Sequence, residues 1–314
     1  MTLSQLEYLL AVDKYRHFST AAEHCHVTQP TLSMQLQKLE EELGITVFDR
    51  SKQPVIPTTE GIMIIEHAKK IMKEAEALYE SVNLAKGVIA GEFRLGVIPT
   101  LAPYVIPLFV NKIAEDHPGI TLIIEELTTE NIIEKLKGDH LDAALLATPT
   151  ANLALNIVPL FIESFVAYVS ENNPLFKKKT LSRADIDSEQ EVLILHEGHC
   201  MQEQVNLFCK KRLTKNSGIV YEAGSIETLR RMVDIRGGMT FLPELAVYDL
   251  SEDQADKVRY FQDPQPAREV SIVTHRSFIK KKLLEIIKSA IIESIPAKML
   301  QTENKQIIHL PATF

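Results

Sequence analysis

Two cysteines nine positions apart, Cys200 and Cys209, are the residues of this 314-residue chain best suited to covalent chemistry, and they are two of its three cysteines. They sit in the stretch Leu195-His196-Glu197-Gly198-His199-Cys200-Met201-Gln202-Glu203-Gln204-Val205-Asn206-Leu207-Phe208-Cys209. The apolar run from Glu191 to Leu195 predicts a buried strand and a helical pattern follows, so Gly198-His199-Cys200 falls at a strand-to-helix turn. A helix N-terminus presents unpaired N–H groups and partial positive charge, which favour thiolate over thiol. A thiolate attacks a peroxide or a disulfide, and a second cysteine nine residues on can resolve the oxidised product. The competing reading is a zinc half-site with His196 and His199, but a Cys-x8-Cys spacing is unlike the common structural zinc motifs, and neither metal nor cofactor is expected. Cys25, between His24 and His26, reads as a small buried residue.

The elements that must position these thiols belong to an ordinary globular chain. At 45% hydrophobic and 24% charged residues it can bury a sizeable core and divide into two or three domains. No apolar run approaches the roughly 20 residues that cross a bilayer, and Met1 to Leu10 carries Glu7 without a basic stretch, so a cytoplasmic location without membrane contact is expected. Thiols are kept reduced there, which makes any disulfide a transient or sensing event. The net charge of −8 argues against a non-specific nucleic-acid binder. Residues 1 to 60 are not basic either: Lys14, Arg16, Lys38, Arg50 and Lys52 stand against Glu7, Asp13, Glu23, Glu40, Glu41, Glu42, Asp49 and Glu60. DNA affinity would have to come from a few well-placed contacts and from multivalency.

Taken in order, residues 3 to 15 place Leu3, Leu6, Leu9, Leu10 and Val12 near helical spacing. Phe18 to Glu23 predicts a second helix with a Thr20-x-x-Glu23 capping box. A third begins with Thr28 as cap and Pro30 in the first turn, and buries Leu32, Leu36, Leu39 and Leu43 on one face. The opposite face carries Gln29, Thr31, Ser33, Gln35 and Lys38, short polar groups able to reach base edges and phosphates in a major groove. Leu43 to Arg50 ends that helix and starts a strand, and Val55 to Gly61 supplies a return strand and a further helix start, making a winged helix-turn-helix.

The motifs Phe18-Ser19-x-Ala21-Ala22, Val27-Thr28-Gln29-Pro30-Thr31-Leu32-Ser33, Leu39-Glu40-x-x-Leu43-Gly44, Val47-Phe48-Asp49-Arg50 and Thr58-x-x-Gly61 resemble the LysR-type transcriptional regulators. The resemblance implies that Thr28, Gln29, Pro30, Thr31, Ser33, Gln35, Lys38 and Arg50 meet double-stranded DNA. From Thr59 to about Gly87 one long helix carries Ile62, Ile65, Ala68, Ile71, Ala75, Leu78, Val82 and Ala85 at steps of three or four, a stripe that needs a partner; in the family this is the dimerisation linker. After it, Glu92–Ile98, Gly119–Glu126 and Asp142–Ala147 predict strands, with helices at Ala102–Ile113 and Asn131–Leu136 between them, an α/β order that implies a parallel sheet. The resemblance implies an effector domain of the periplasmic-binding-protein type with two α/β subdomains. The organisation expected is a DNA-binding domain over 1–58, a linker helix over 59–90, and a regulatory domain over 91–300. Its subdomain I would take in about 91–164 and 268–300, and subdomain II about 165–267; the tail 301–314 is left uninterpreted.

Gly198-His199-Cys200-x-x-x-Gln204-x-x-x-x-Cys209, Ile98-Pro99-Thr100-x-x-Pro103-Tyr104-x-x-Pro107, Ser225-x-Glu227-Thr228-Leu229-Arg230-x-Met232-Val233 and Leu242-Pro243-x-Leu245-Ala246-Val247 are similar to the peroxide-sensing OxyR branch of that family. By that resemblance Cys200 is the thiolate that attacks hydrogen peroxide and Cys209 closes the disulfide. Thr100, with Thr129 and Gln204 as further candidates, bonds the peroxide; His199 shapes the thiolate's surroundings; and Arg268 supplies positive charge that holds the thiol's pKa low. The resemblance also implies an activator rather than an enzyme that turns over, a homodimer through the linker helix, a homotetramer, and contact with RNA polymerase. Bland readings remain beside these: Thr100 as the cap of the following helix, Arg268 as a surface arginine, and a regulator that binds a metabolite with both cysteines incidental. A turnover thiol peroxidase is the reading from another class.

Overall fold

The structure, a computed structural model, describes residues 1–85, 88–147, 155–189, 192–195, 200–209 and 224–309. The chain forms two compact units, Met1–Val88 and Ile89–Phe314.

In the first unit, α1 (Leu3–Tyr15), α2 (Phe18–His24) and α3 (Gln29–Leu43) enclose a core of Leu6, Leu9, Val12, Ala21, Ala22, Leu32, Leu36 and Leu39. Thr28 caps α3 as expected, its hydroxyl accepting from the Thr31 amide. The expected Thr20 cap of α2 is not formed. The chain reverses at once after α1 through Arg16 in the left-handed region, α2 starts at Phe18 as expected, and His17 is its cap, with Thr20 already inside the helix. The strands β1 (Phe48–Asp49) and β2 (Ile56–Pro57) pair antiparallel as the wing. Glu40 ties that wing to α3: one carboxylate oxygen accepts from the amides of Val47 (2.7 Å) and Phe48 (3.3 Å), and the other holds Arg50 (2.7 Å).

The long helix α4 (Thr59–Ala85) starts where Thr58 spans wing and helix, its hydroxyl donating to the Thr46 carbonyl (2.7 Å) and accepting from the Gly61 amide (2.9 Å). Gly61 is required by close approach, since a Cβ there would lie 2.1 Å from the Val47 carbonyl oxygen. Backbone cannot yield as a flexible side chain does. Gly61→Ala is expected to cost the first unit about 2–3 kcal/mol, read by urea unfolding of the full chain against the wild type; an unchanged midpoint would mean that α4 does not dock on the wing in this way. Along α4 the apolar stripe divides: Ile65 and Ala68 are buried in the unit's own core, whereas Ile71, Leu78 and Val82 lie exposed, together with Met63 and Tyr79.

In the second unit β3 (Gly91–Val97), β4 (Ile120–Glu126) and β5 (Ala143–Ala147) run parallel in the order β4-β3-β5, with α5 (Ala102–Asp116) and α6 (Thr129–Lys137) as crossovers. The sheet does not stay parallel. β6 (Leu155–Val169) and β11 (Gln265–His275) join antiparallel to each other, and β11 pairs antiparallel with β5, because these two strands carry the chain out of the first subdomain and back again. β6 then leaves β11: its last residues pair with β9 (Met239–Pro243) and β10 (Val258–Phe261), and β10 with β7 (Thr180–Leu181). Beside β9 lies β8 (Val192–Leu193), and α7 (Arg183–Ser188), α8 (Cys200–Cys209), α9 (Ile226–Arg236) and the short α10 (Glu252–Ala255) complete this part. The closing helix α11 (Lys281–Ser294) packs against the first subdomain. Two apolar cores result, one around Phe93, Val97, Phe109, Ile132 and Ile287, the other around Phe165, Tyr168, Val205, Phe208 and Phe241. The tail left uninterpreted forms β12 (Lys305–Ile307), paired parallel with Gln265, Pro266 and Ala267 of β11.

Candidate functional site

Cys200 opens α8, at the N-terminal position expected of it, half-buried and free. Its sulfur lies 2.8 Å from the Thr129 hydroxyl, on the first residue of α6. Thr129 rather than Thr100 is thus the hydroxyl in contact with the thiol. Gln204, one turn further along α8, is fully buried on the same side, as a four-residue step along a helix dictates. Cys209 ends the same helix. The Cys209 side chain and His199 lie outside the described residues.

Thr100 and Arg268 are brought together instead, although 168 positions separate them. The Arg268 guanidinium donates to the Thr100 hydroxyl oxygen (2.9 Å) and to the Thr100 carbonyl (3.0 Å). Thr100 does not cap α5; that place is held by Leu101, which offers no side-chain bond. Arg268 is no surface arginine: with 0% exposure it is the largest fully buried side chain among the described residues, and it forms an ion pair at 2.8 Å with Glu163, also 0% exposed. The two are register partners on adjacent strands, which aims both side chains to one face. The other Glu163 oxygen accepts from the Leu245 amide (2.9 Å), so its carboxylate is satisfied on both sides. Glu163 was not foreseen from the sequence. The signal was there: it is the one charge in the apolar run Leu160 to Val169, and a charge kept in a buried strand must have a partner.

The electrostatics depart from the expected low-pKa thiolate. Burial pushes the Cys200 thiol above the ordinary cysteine value. The Thr129 hydrogen bond, the residue's own amide and the Arg268 charge pull downward without prevailing, and Glu203 adds to the upward push. The Arg268 charge is the weakest of these influences. Since only the thiolate reacts, Cys200 alkylation and oxidation are expected to be slower at pH 7 than for a free cysteine, and still rising as pH passes the ordinary thiol range. A rate flat from pH 6 upward would contradict this.

At the far end of α8, Phe208 packs edge-on against Phe241 and Phe261, with ring centroids 6.3 and 5.4 Å away, and under the Arg183 guanidinium at 5.4 Å. Tyr104 on α5 donates to Glu227 on α9 (3.0 Å), and Glu227 in turn holds Arg230 (2.8 Å), so a polar chain joins the two apolar cores.

In the first unit, Gln29, Pro30 and Lys38 are exposed on α3, with Thr31 and Ser33 half-buried. Thr28 and Thr31 bond each other (2.8 Å), and Gln35 accepts from Gln5 of α1 (3.3 Å). Arg50 is held by Glu40, within reach of Ser33 (3.3 Å), and stacks over the Phe18 ring at 5.1 Å. Met34, 50% exposed on the same helix, was missed because an apolar residue in a helical pattern reads as core.

Comparison with known proteins agrees with this geometry. Residues 3–62 match the bacterial regulatory helix-turn-helix protein model of the lysR family, and residues 86–287 match the LysR substrate binding domain. A hydrogen peroxide-inducible genes activator of Haemophilus influenzae is 34% identical over 94% of this chain and 97% of its own length. The DNA-binding transcriptional dual regulator OxyR of Escherichia coli is 34% identical over 87% of this chain and 89% of its own. A full-length OxyR variant from Pseudomonas aeruginosa superposes with a TM-score of 0.75 at 33% identity, covering 93% of this chain and 98% of that one. Among the described residues no helix is long and apolar enough to cross a membrane, and no cluster of potential metal ligands is present. The winged head, the two-part α/β unit and these relatives together show that the chain belongs to the LysR family of bacterial transcriptional regulators, in its OxyR branch.

Proposed function

We propose that this chain is a hydrogen-peroxide-responsive DNA-binding regulator, switched between reduced Cys200 and Cys209 and a disulfide joining them. The observation that carries the reading is the placement of Cys200, half-buried at the start of α8 against the Thr129 hydroxyl, with the second cysteine at the other end of the same helix. The Cys200 thiolate attacks one peroxide oxygen; an S–O bond forms, the O–O bond breaks, and the departing hydroxide leaves as water once protonated. The Cys209 thiol then attacks the sulfenic sulfur, an S–S bond forms, and a second water leaves. The two thiols give up two electrons to one peroxide. A reductant must reopen the disulfide to reset the pair; the reading is of a switch rather than a turnover enzyme because a DNA-binding head precedes the thiols.

Nine residue steps of α-helix separate the cysteine Cα atoms by about 13–14 Å, against the roughly 7 Å that a disulfide tolerates. Closure therefore requires α8 to unwind and Phe208 to leave its aromatic cage, which converts an oxidation into a discrete conformational change. On the DNA side, Thr28, Gln29, Pro30, Thr31, Ser33, Gln35 and Lys38 of the α3 segment, with Arg50 beside them, form the face offered to the DNA. The exposed stripe Ile71, Leu78 and Val82 on α4 supports a homodimer, the geometry by which paired heads meet successive grooves. Association to a tetramer, contact with RNA polymerase and action as a cytoplasmic activator complete the reading.

Peptide mapping of the reduced protein after stoichiometric peroxide, quenched by thiol alkylation, tests it. A Cys200–Cys209 disulfide with Cys25 still alkylatable is expected; three free thiols would end the peroxide reading and turn attention to a small ligand in the second unit.

A further inference from the structure

We propose that Arg183 is a positioning residue for disulfide closure: its guanidinium over the Phe208 ring latches the end of α8 and so sets how fast Cys209 reaches the oxidised Cys200. The inference rests on the peroxide-switch reading and deepens it.

The helix α8 docks through Met201, Gln204, Val205 and Phe208, all buried, at the three- and four-residue steps that fall on one helix face. Phe208 is the last of these anchors, and Cys209 follows it directly. Its ring meets Phe241 and Phe261 edge-on, at interplanar angles of 79° and 74°, while those two rings stack on each other at 5.7 Å. Arg183 arrives at this cage by way of the strand before it, since Leu181 of β7 pairs with Phe261 of β10 and α7 begins directly after the cap Ser182. There the Ser182 hydroxyl accepts from the Asp185 amide (3.4 Å), the Asp185 carboxylate accepts from the Ser182 amide (2.9 Å), and Ile186 is buried in the same core as Phe208. The backbone of Arg183 is thereby fixed where its guanidinium carbon lies 5.4 Å from the Phe208 centroid, within the reach of a cation–π contact. Its Nη2 is buried without a hydrogen-bond partner among the described residues, which leaves the ring as the group that meets this end of the charge.

In the closing step the Cys209 thiol attacks the sulfenic sulfur of Cys200; an S–S bond forms, the S–O bond breaks, and water leaves. The intact helix holds the two residues too far apart for this, so Phe208 must leave its seat before the sulfurs meet. The contact with Arg183 is already broken when the S–S bond forms, and its whole worth appears as a slower closure. Attack of peroxide on Cys200 takes place at the other end of α8, with the latch still shut. Arg183 thus acts on the second step alone and lengthens the life of the sulfenic acid.

The test is rapid-quench mass spectrometry on the full chain with Cys25 replaced by serine, counting dimedone-trapped sulfenic acid against disulfide over time after peroxide. Arg183→Ala is expected to close about fivefold faster, the factor that such a contact is worth, with the rate of peroxide attack on Cys200 unchanged. Arg183→Lys keeps a cation over the ring and should close nearly as slowly as the wild type. Phe208→Leu keeps an apolar anchor without the ring, and in that background Arg183→Ala should change nothing. If Arg183→Ala does not fold, Arg183→Gln, which keeps part of the stem and drops the charge, replaces it in both comparisons. Slower closure in Arg183→Ala would make the unpaired Nη2 a burden on the docked helix and overturn the proposal. The same fivefold gain in the Phe208→Leu background would also overturn it, because Arg183 would then act on the fold and not through the ring. Absence of a disulfide in the wild type sinks the switch reading and the latch with it; a disulfide that closes at one rate in the wild type and Arg183→Ala sinks the latch alone.

Discussion

Cys200→Ser is expected to fold, to bind DNA as the reduced protein does, and to show no response to peroxide in a promoter assay. Serine conserves the contact with Thr129, since a hydroxyl exchanges hydrogen bonds with a hydroxyl, and fits a space made for the slightly larger sulfur. The stability cost should therefore stay within about 1 kcal/mol. What is lost is the chemistry: a serine hydroxyl is neither ionised near neutral pH nor oxidised by peroxide, so no sulfenic acid forms. Cys209→Ser should differ in a telling way. Cys200 still reaches the sulfenic stage, which a dimedone probe would capture, but no disulfide closes and α8 has no reason to unwind. A normal peroxide response from Cys200→Ser would refute the switch outright, whatever the family of the chain.

Arg268→Met is the second large effect expected, and it falls on stability. The methionine fills most of the arginine's volume, so little cavity is made; the damage lies in Glu163, left as an unpaired carboxylate with no water to solvate it. Removing one partner of a buried ion pair typically costs about 3–5 kcal/mol, because the remaining charge keeps its full desolvation penalty. Replacing both with apolar or neutral groups is far milder for the same reason, so Glu163→Gln, Arg268→Met should recover most of the loss. Urea unfolding of the three proteins would decide it. A single variant within 1 kcal/mol of the wild type would show that water reaches Glu163, against the complete burial of both side chains.

Much of the molecule was legible in the order of its residues because the interactions concerned are local. The helices of the winged head announce themselves through Leu32, Leu36 and Leu39 at helical steps, through Thr28 as cap and Pro30 in the first turn, and these fell where expected. The first strands and helices of the second unit were equally readable, to within a few residues at their ends. Local signals also misled: Thr20 and Glu23 have the spacing of a capping box, yet after the tight reversal at Arg16 it is His17 that caps α2, with Thr20 inside the helix. The short strand β12 escaped notice because Lys305, Gln306 and Ile307 carry too little pattern to declare a strand without β11 beside them.

The site divides along the same line. By itself the sequence determined that Cys200 stands at the start of a helix with a second cysteine nine residues on, that a DNA-binding head precedes them, and to which family such a chain is similar; each follows from residue type and spacing within a short window. Only the tertiary structure decided which hydroxyl touches Cys200, that Thr100 belongs to Arg268 rather than to a helix cap, and that Arg268 arrives already balanced by Glu163. Those pairings join residues 71, 168 and 105 positions apart. Spacing along a chain says nothing of such meetings. Glu163 and Arg268 meet where β6 and β11 run side by side, Thr129 and Cys200 where the starts of α6 and α8 come together, and the burial of Cys200, which no local motif encodes, pushes its thiol above the ordinary cysteine value.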